Sequence, residues 1–418
     1  MDRTYFCIDL KTFYASVECV VRGLDPFSTN LVVADPTRGK GSICLAISPA
    51  LKELGIKNRC RVFEIPENIN YITAMPRMNL YIKYSADIYA IYLQFVAKED
   101  IHVYSIDEAF LDVTHYLKMY GLSKVELAKK IIDEIYQKTS ICATCGIGTN
   151  LYLSKIALDL EAKHSKNNIG YLDEKLYLAK YSRHRPLTDF WQIGKGIAKK
   201  LENNGYYYLE DIAKADEKEL YKLFGINAEY LIDHSKGREP CTIEQIKKYK
   251  SQSKSISSGQ VLFEDYSYKD SLLVVKEMVE LTCLELTKKH LVSSSISLSI
   301  GYSKESHKTT GGTRKLTNTT NSYKLVLDEF IKLFEDTTIK NLPIRKINIS
   351  FNDVVDERYE QYDLFTDQKQ VNKEVKLQKV IVNIKEKYGK NAILRGMNLE
   401  EKATTLKRNK LVGGHNGD

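Results

Sequence analysis

The 418-residue sequence contains a single Trp, eight Pro and eight Cys. It has no run of about 18 apolar residues of the kind that crosses a bilayer as a helix. So few Pro, with only 22 Gly, exclude collagen-like and low-complexity chains. The cysteines are scattered, which excludes the disulfide framework of a small secreted domain. Their close pair, Cys142 and Cys145, falls in an expected strand, where positions three apart point to opposite faces, so no zinc site is expected there. The opening MDRTYFCIDL lacks the charged stretch and apolar core of a secretory leader. A cytoplasmic protein without membrane contact is the expectation.

What remains is the composition of a folded protein, 43% hydrophobic and 28% charged. The length predicts roughly two to four domains. A net charge of +8 suits a polyanionic partner without requiring one. More telling is where the charge sits: Lys236 to Lys254 carries six basic residues against two Glu, with little hydrophobic periodicity. That segment reads as a basic linker.

Tyr5, Cys7 and Asp9 alternate with Phe6, Ile8 and Leu10, predicting a strand that ends at Asp9. A helix follows, striped by Phe13, Val17, Val20, Val21 and Leu24 and stopped by Asp25-Pro26. A turn-rich stretch through Gly39, Gly41 and Gly55 to Pro66 suits a small lobe of its own. Strand character returns from Ile101 to Val113, interrupted by Asp107-Glu108, and buried acids need a reason. The capping box Ser123-Lys124-Val125-Glu126 opens a helix striped by Val125, Ala128, Ile132 and Ile135. A strand over Ile141 to Ile147 leads to a helix through Lys155. Together these make an α+β layer with acids at strand ends. Residues 186–235 read as helical, with short connections at Gly194, Gly205 and Gly225. Beyond the linker, Ile296, Leu298, Ile300 and Tyr302, then Ile347, Ile349 and Phe351, alternate with small or polar residues as half-buried strands. Leu377, Val380, Ile381, Ile384 and Tyr388 mark an amphipathic helix packed locally, and residues 402–418 are expected to be disordered.

Two separated acidic elements, Asp9 and Asp107-Glu108, are what a pair of Mg²⁺ ions bridging a triphosphate requires, because such cations take oxygen ligands. Acids at strand ends are also common as turn residues or as solvated groups. The surrounding words are more specific. Asp9-Leu10-Lys11-Thr12-Phe13-Tyr14-Ala15-Ser16-Val17-Glu18, with Tyr104-Ser105-Ile106-Asp107-Glu108-Ala109-Phe110, resembles the Y-family DNA polymerases. Within them the chain is most similar to the UmuC-like branch of Gram-positive bacteria, over most of its length.

The resemblance implies an α+β multidomain, right-hand polymerase with palm, fingers and helical thumb, plus a C-terminal α/β little-finger domain. By position the palm is 1–25 and 75–165, the fingers 26–74, the thumb 166–235, the linker 236–254, the little finger 255–355 and a tail 356–418. It implies template-directed, error-prone DNA synthesis in lesion bypass, repair and an SOS-type damage response. No length is left over for a proofreading exonuclease, and the small residues Ala46, Ile47 and Ser48 suit an open roof above the nascent pair.

Carried over residue by residue, it makes Asp9, Asp107 and Glu108 the catalytic, metal-binding carboxylates. The main-chain carbonyl of Leu10 becomes a further ligand, and two Mg²⁺ ions, replaceable by Mn²⁺, the cofactors. Phe13 and Tyr14 fall at the dNTP, Tyr14 as the steric gate that leaves a ribose 2′-hydroxyl no room. Lys52 falls on the triphosphate, with Pro49 where some relatives carry a phosphate-binding Tyr. Lys163 resembles the palm lysine that reaches the triphosphate. Counted from Lys155 it comes one residue later than in some branches, which leaves Lys166 as a rival. Ile193-Gly194-Lys195-Gly196-Ile197-Ala198-Lys199-Lys200 fits a helix-hairpin-helix, whose backbone N–H groups approach the phosphates of primer-template DNA without reading sequence. Gln361-Tyr362-Asp363-Leu364-Phe365 resembles the pentapeptide that docks bacterial polymerases on the sliding clamp. Damage-response accessory proteins are further partners the family implies. Another palm-type nucleotidyl transferase would need neither Tyr14 nor the hairpin, and a silent DNA-binding scaffold would not need all three carboxylates.

Overall fold

The computed structural model describes residues 3–252, 254–303 and 308–418. Two compact units divide the chain, residues 1–250 with Asp418, and residues 251–417.

The first unit is built on β1 (Tyr5–Leu10), followed by α1 (Phe13–Val21). A small lobe of β2 (Leu31–Val33), β3 (Ala46–Ile47), α2 (Pro49–Glu53) and β4 (Ile72–Ala74) comes next. Then follow α3 (Met78–Tyr92), the hairpin of β5 (Ile101–Val103) and β6 (Glu108–Asp112), α4 (Tyr116–Tyr120) and α5 (Lys124–Thr139). The layer closes with β7 (Ala143–Gly148), α6 (Leu151–Ile156) and β8 (Ile169–Leu172). The strands make one sheet in the order β5-β6-β1-β7-β8. Of the six β1 residues all but Asp9 are buried. Alternation sends Tyr5 and Cys7 to one face, against Phe110, Leu151, Leu158 and Ala162, while Phe6 and Ile8 are buried on the other.

The lobe between α1 and α3 has its own sheet, β3-β2-β4, and its own core of Val32, Ala34, Cys44, Ile47, Leu51 and Ile65. Five helices complete the helical part: α7 (Glu174–Tyr181), α8 (Lys195–Asn203), α9 (Leu209–Lys214), α10 (Glu217–Phe224) and α11 (Ala228–Ser235). They close over Tyr177, Leu187, Phe190, Leu201, Leu220 and Leu231.

The segment joining α6 to β8 matters most for the site. Residues Ala157–Glu161 form a π-helical turn continuous with α6, then a short 3₁₀ turn spans Ala162–His164. Glycine lets this segment lie directly on the sheet. A Cβ at Gly146 would come within 2.2 Å of the Ser154 carbonyl oxygen and the Leu158 nitrogen, and one at Gly148 within 2.1 Å of the Ser154 nitrogen. Any side chain there would collide with backbone that cannot move aside.

The second unit contains β9 (Ile256–Tyr266), α13 (Tyr268–Lys288), β10 (Leu291–Tyr302), β11 (Thr310–Thr320), α14 (Tyr323–Thr337), β12 (Ile344–Asn352) and β13 (Val355–Asp356). Its sheet runs β11-β10-β12-β9, with Ile296, Leu298, Ile300, Ile347, Ile349 and Phe351 in the core against α13 and α14.

Several expectations are corrected. The basic segment 236–254 is not all linker: α12 (Ile243–Lys248), opened by a Thr242/Gln245 capping box, buries Ile243 against Tyr5 and Leu158. On α5 the stripe is Leu127, Ala128, Ile131, Ile132 and Ile135, and Val125 is exposed. The helix after 356, α15 (Gln368–Tyr388), exposes Leu377, Val380 and Tyr388 and buries Val371, Gln378 and Ile381. Gln378 earns its burial by hydrogen bonds: its Oε1 accepts from Tyr323 N at 3.0 Å, and its Nε2 donates to Thr287 Oγ1 at 2.9 Å and to the Asn321 carbonyl at 3.0 Å.

The stretch expected to be disordered is also folded, as α16 (Thr405–Arg408) and the hairpin of β14 (Leu411–Val412) and β15 (His415–Asn416). Buried Glu277 on α13 holds it, accepting from Asn398 Nδ2 at 3.0 Å, Thr404 N at 2.7 Å, Thr404 Oγ1 at 3.0 Å and Thr405 N at 3.2 Å.

Candidate active site

Antiparallel pairing puts Asp9 of β1 directly opposite Glu108 of β6, and Leu10 N donates to the Asp107 carbonyl at 2.9 Å. Sheet register therefore brings acids 99 positions apart in the chain to one place. Asp107 sits at the turn of the β5–β6 hairpin, its Oδ1 accepting from Ser105 Oγ at 2.6 Å.

Asp9 and Glu108, both partly exposed, each face a lysine from the segment after β7. Lys163 Nζ lies 2.7 Å from Asp9 Oδ2 and 2.8 Å from Asp159 Oδ1. Lys155 Nζ lies 2.8 Å from Glu108 Oε2 and 3.2 Å from Asp159 Oδ2, and Cys7 Sγ donates to Glu108 Oε1 at 3.3 Å. The π turn explains why Lys163 and not Lys166 arrives here. At about 100° per residue, eight residues of plain α-helix would put Lys163 roughly 80° round from Lys155. A turn that takes up one extra residue returns it to within roughly 20°, and such bulges collect at functional sites.

Burial raises the pKa of Asp9, Lys163 works against that, and the Asp107 charge adds to it. Burial likewise raises Glu108, opposed by Lys155. For Lys163 burial disfavours the charge, but Asp9 and Asp159 outweigh it and lift the pKa above the ordinary lysine value. Among the described residues no three or more His, Cys, Asp or Glu side chains converge closely enough to hold a metal ion. The donor set nonetheless fits divalent cations: oxygen ligands on adjoining backbone, two of them balanced by lysine ammonium groups.

Lys52, in the last turn of α2, has its pKa lowered by burial and by the nearby charge of Lys163, with Asp9 pulling the other way and Lys11 adding to the lowering. Lys11, Lys52 and Lys163 thus form a cationic rim beside the acids. Lys11, whose Nζ donates to Asn168 Oδ1 at 2.6 Å, and Lys155 were missed by sequence reasoning. The four-residue spacing Lys155-Asp159-Lys163 was the available signal.

Phe13 is buried at the start of α1, and the half-buried Tyr14 ring stacks on Tyr81, centroids 4.5 Å apart at 17°. Burial and the Asp107 charge raise the Tyr14 phenol pKa. Ala46, Ile47 and Ser48 are buried within the lobe, where Ser48 Oγ caps α2 and Pro49 opens it.

Gly194 is the N-cap of α8, and a Cβ at Gly194 or Gly196 would meet nothing within 4 Å, so the approach to the N–H groups is open. Ile193 is buried and Lys195 and Lys199 are exposed, whereas Lys200 is turned onto the Leu223 carbonyl and the Phe224 ring. In the second unit, Gln361 bridges Thr319, and Asp363 N donates to Asn318 Oδ1 at 2.7 Å. Asp363 Oδ1 accepts from Phe365 N at 3.0 Å and Thr366 N at 2.7 Å, leaving Leu364 98% and Phe365 95% exposed.

Among solved structures, the "Y-family DNA polymerase chimera Dbh-Dpo4(243-245)-Dbh" matches with a TM-score of 0.64 at 23% identity, over 84% of this chain and 99% of that one. The fold is that of a right-hand polymerase of the Y family. The sequence comparisons go further. Residues 8–159 match the model of the impB/mucB/samB family and residues 253–364 that of its C-terminal domain. The chain is 33% identical over 421 residues to "Putative UV-damage repair protein UvrX" of Bacillus subtilis (strain 168), covering 99% of this chain and 97% of that protein. It is 28% identical over 423 residues to "DNA polymerase IV 2" of Halalkalibacterium halodurans, covering 99% and 100%. The chain belongs to the impB/mucB/samB family, the UmuC-like Y-family DNA polymerases. With membership come DNA-directed DNA polymerase activity, error-prone translesion synthesis and repair, binding of primer-template DNA and dNTPs, and use of divalent metals. No helix among the described residues is long and apolar enough to cross a membrane.

Proposed function

We propose that Asp9, Asp107, Glu108 and the Leu10 carbonyl hold two Mg²⁺ ions, with Mn²⁺ able to substitute, at the point where a primer 3′ end meets a dNTP. The observation that carries this reading is the register pairing of Asp9 with Glu108, with Asp107 at the adjoining turn and a lysine rim alongside. What such ions supply is polarisation of the attacking 3′-hydroxyl and neutralisation of charge on the leaving phosphates.

The protein's own groups do the rest. Lys163, Lys52 and Lys11 attract and orient the triphosphate, and the Lys163 ammonium, paired with Asp9 in the free protein, would turn to the phosphates. Lys155 stays on Glu108 and works against the effect of burial on its charge. Tyr14, with Phe13 behind it, fills the space that a 2′-hydroxyl would need. Ile193, Gly194, Lys195, Gly196 and Lys199 grip duplex phosphate through backbone N–H groups and charge, with Lys200 in a supporting place at the helix end. Gln361, Leu364 and Phe365 dock on the sliding clamp, and the tether offsets weak intrinsic DNA affinity.

The test is primer extension on an undamaged template with Mg²⁺ and all four dNTPs, wild type against Asp107→Ala at matched concentration. Extension by wild type alone is expected. Equal extension by both, with DNA binding equal, would remove Asp107 from the chemistry.

A further inference from the structure

Glu18 is fully buried and has no part in the chemistry above. A buried carboxylate is costly unless paired and hydrogen-bonded, and this one is paired several times over. Arg77 donates Nε to Oε1 at 3.0 Å and Nη2 to Oε2 at 2.7 Å. The Tyr81 hydroxyl donates to Oε1 at 2.7 Å, and Arg22 reaches Oε2 while donating to the Glu18 carbonyl at 2.9 Å. Burial pushes the Glu18 pKa up, but Arg77, Tyr81 and Arg22 outweigh it and hold the carboxyl below its ordinary range. It is therefore ionised at neutral pH.

The placement of the donors is informative. The lobe carrying Lys52 is inserted between α1 and α3. Arg22 caps the end of α1, where the chain leaves for the lobe, and Arg77 precedes α3, where it returns. One carboxylate thus fastens both crossings. The third donor, Tyr81, is wholly buried on the first turn of α3 and carries the ring on which Tyr14 stacks. The far end of that ring is fixed by Glu18. Selection by clash works only if the excluding ring cannot retreat, and a shift of about 1 Å changes which groups fit.

We infer that Glu18, Arg77 and Tyr81 are positioning residues for sugar selection: the buried carboxylate locks Tyr81 behind Tyr14 and ties the gate to the root of the lobe that carries Lys52. The inference rests on Tyr14 as the steric gate and adds what holds it in place.

The experiment measures kcat/KM for single insertion of dCTP and of rCTP opposite template G. It compares wild type, Tyr14→Ala, Tyr81→Phe, Glu18→Gln and the Tyr14→Ala/Tyr81→Phe double variant. Tyr81→Phe keeps the stacked ring and removes only the hydroxyl. It should raise the rCTP-to-dCTP ratio about tenfold, the scale of one hydrogen bond to a charged acceptor, mainly through a lower KM for rCTP. Glu18→Gln should raise it at least as much, and in the Tyr14→Ala background Tyr81→Phe should change it no further. A merely structural role would slow both sugars alike and leave the ratio alone. If Tyr14→Ala abolishes selection while Tyr81→Phe and Glu18→Gln keep the wild-type ratio, the positioning role is wrong and the gate stands. If Tyr14→Ala itself leaves the ratio unchanged, the gate reading falls and this inference with it. Should Glu18→Gln fail to fold, Tyr81→Phe decides alone.

Discussion

The pairing of Lys155 with Glu108 yields a stability prediction that needs no substrate. Both side chains are nearly closed to water, 9% and 10% exposed, at 2.8 Å. Lys155→Met keeps most of the aliphatic stem and removes the charge, leaving Glu108 ionised and uncompensated in the sheet. Breaking such a pair from one side costs about 3–5 kcal/mol. The penalty has a built-in relief, because Glu108 can take up a proton. Burial already raises its pKa with Lys155 in place, and removing Lys155 raises it further. A carboxyl whose folded pKa lies above its unfolded value of about 4.3 binds more protons when folded, so stability falls as pH rises between the two. Between the folded pKa of Glu108 in the wild type and its higher value in the variant, the variant should lose up to about 1.4 kcal/mol per pH unit relative to wild type. Urea unfolding followed by the fluorescence of Trp191, the sole tryptophan and a member of the first unit, reads the unit concerned. The variant should be less stable by about 3 kcal/mol at pH 7.5 and by distinctly less at pH 5.5. Lys155→Met/Glu108→Gln should recover most of the loss. A deficit that is the same at both pH values, or that the second substitution leaves untouched, would refute the reasoning.

Three further outcomes are expected. Glu277→Leu strips four hydrogen bonds from the C-terminal segment. It should destabilise the second unit by about 2–4 kcal/mol and speed hydrogen exchange at the Thr404 and Thr405 amides, seen by mass spectrometry. Lys195→Ala and Lys199→Ala should weaken duplex binding without regard to sequence. Each should flatten the slope of log affinity against log salt by about 0.9 if one phosphate contact is lost, whereas Lys200→Ala should change the slope less. Leu364→Ala/Phe365→Ala, which removes two fully presented apolar side chains, should lower affinity for immobilised sliding clamp at least about tenfold, the loss of one modest anchor. Unchanged binding would overturn the clamp-docking role of this segment.

The site was more legible in the sequence than the packing around it. Asp9 stands near the end of an alternating run and Asp107-Glu108 interrupts another, so both acidic elements stood out, and the Ser123/Glu126 capping box marked its helix correctly. Hydrophobic periodicity failed where polar groups are buried by being satisfied. Gln378 looks like a surface residue until its three partners are known, and those come from distant positions. Residues 402–418 likewise read as a loose end because Glu277, far back in the chain, supplies what holds them. By its charge Lys236 to Lys254 reads as linker, although Ile243 and the Thr242 cap mark a helix. Counting from Lys155 could not choose between Lys163 and Lys166, since a count assumes a fixed rise per residue and the π turn departs from it.

That departure bears on how such chains diverge. An added residue in an ordinary helix rotates everything downstream by about 100°, enough to carry a charge off its face and silence it. Here the extra residue is stored as a bulge, pressed against a sheet whose glycines leave it room. The helix changes length while the ammonium group keeps its address on Asp9. A one-residue insertion or deletion, ordinarily the harshest of small mutations in a helix, should therefore be better tolerated at this point than in a plain helix, provided that Gly146 and Gly170, which face the turn, stay free of side chains.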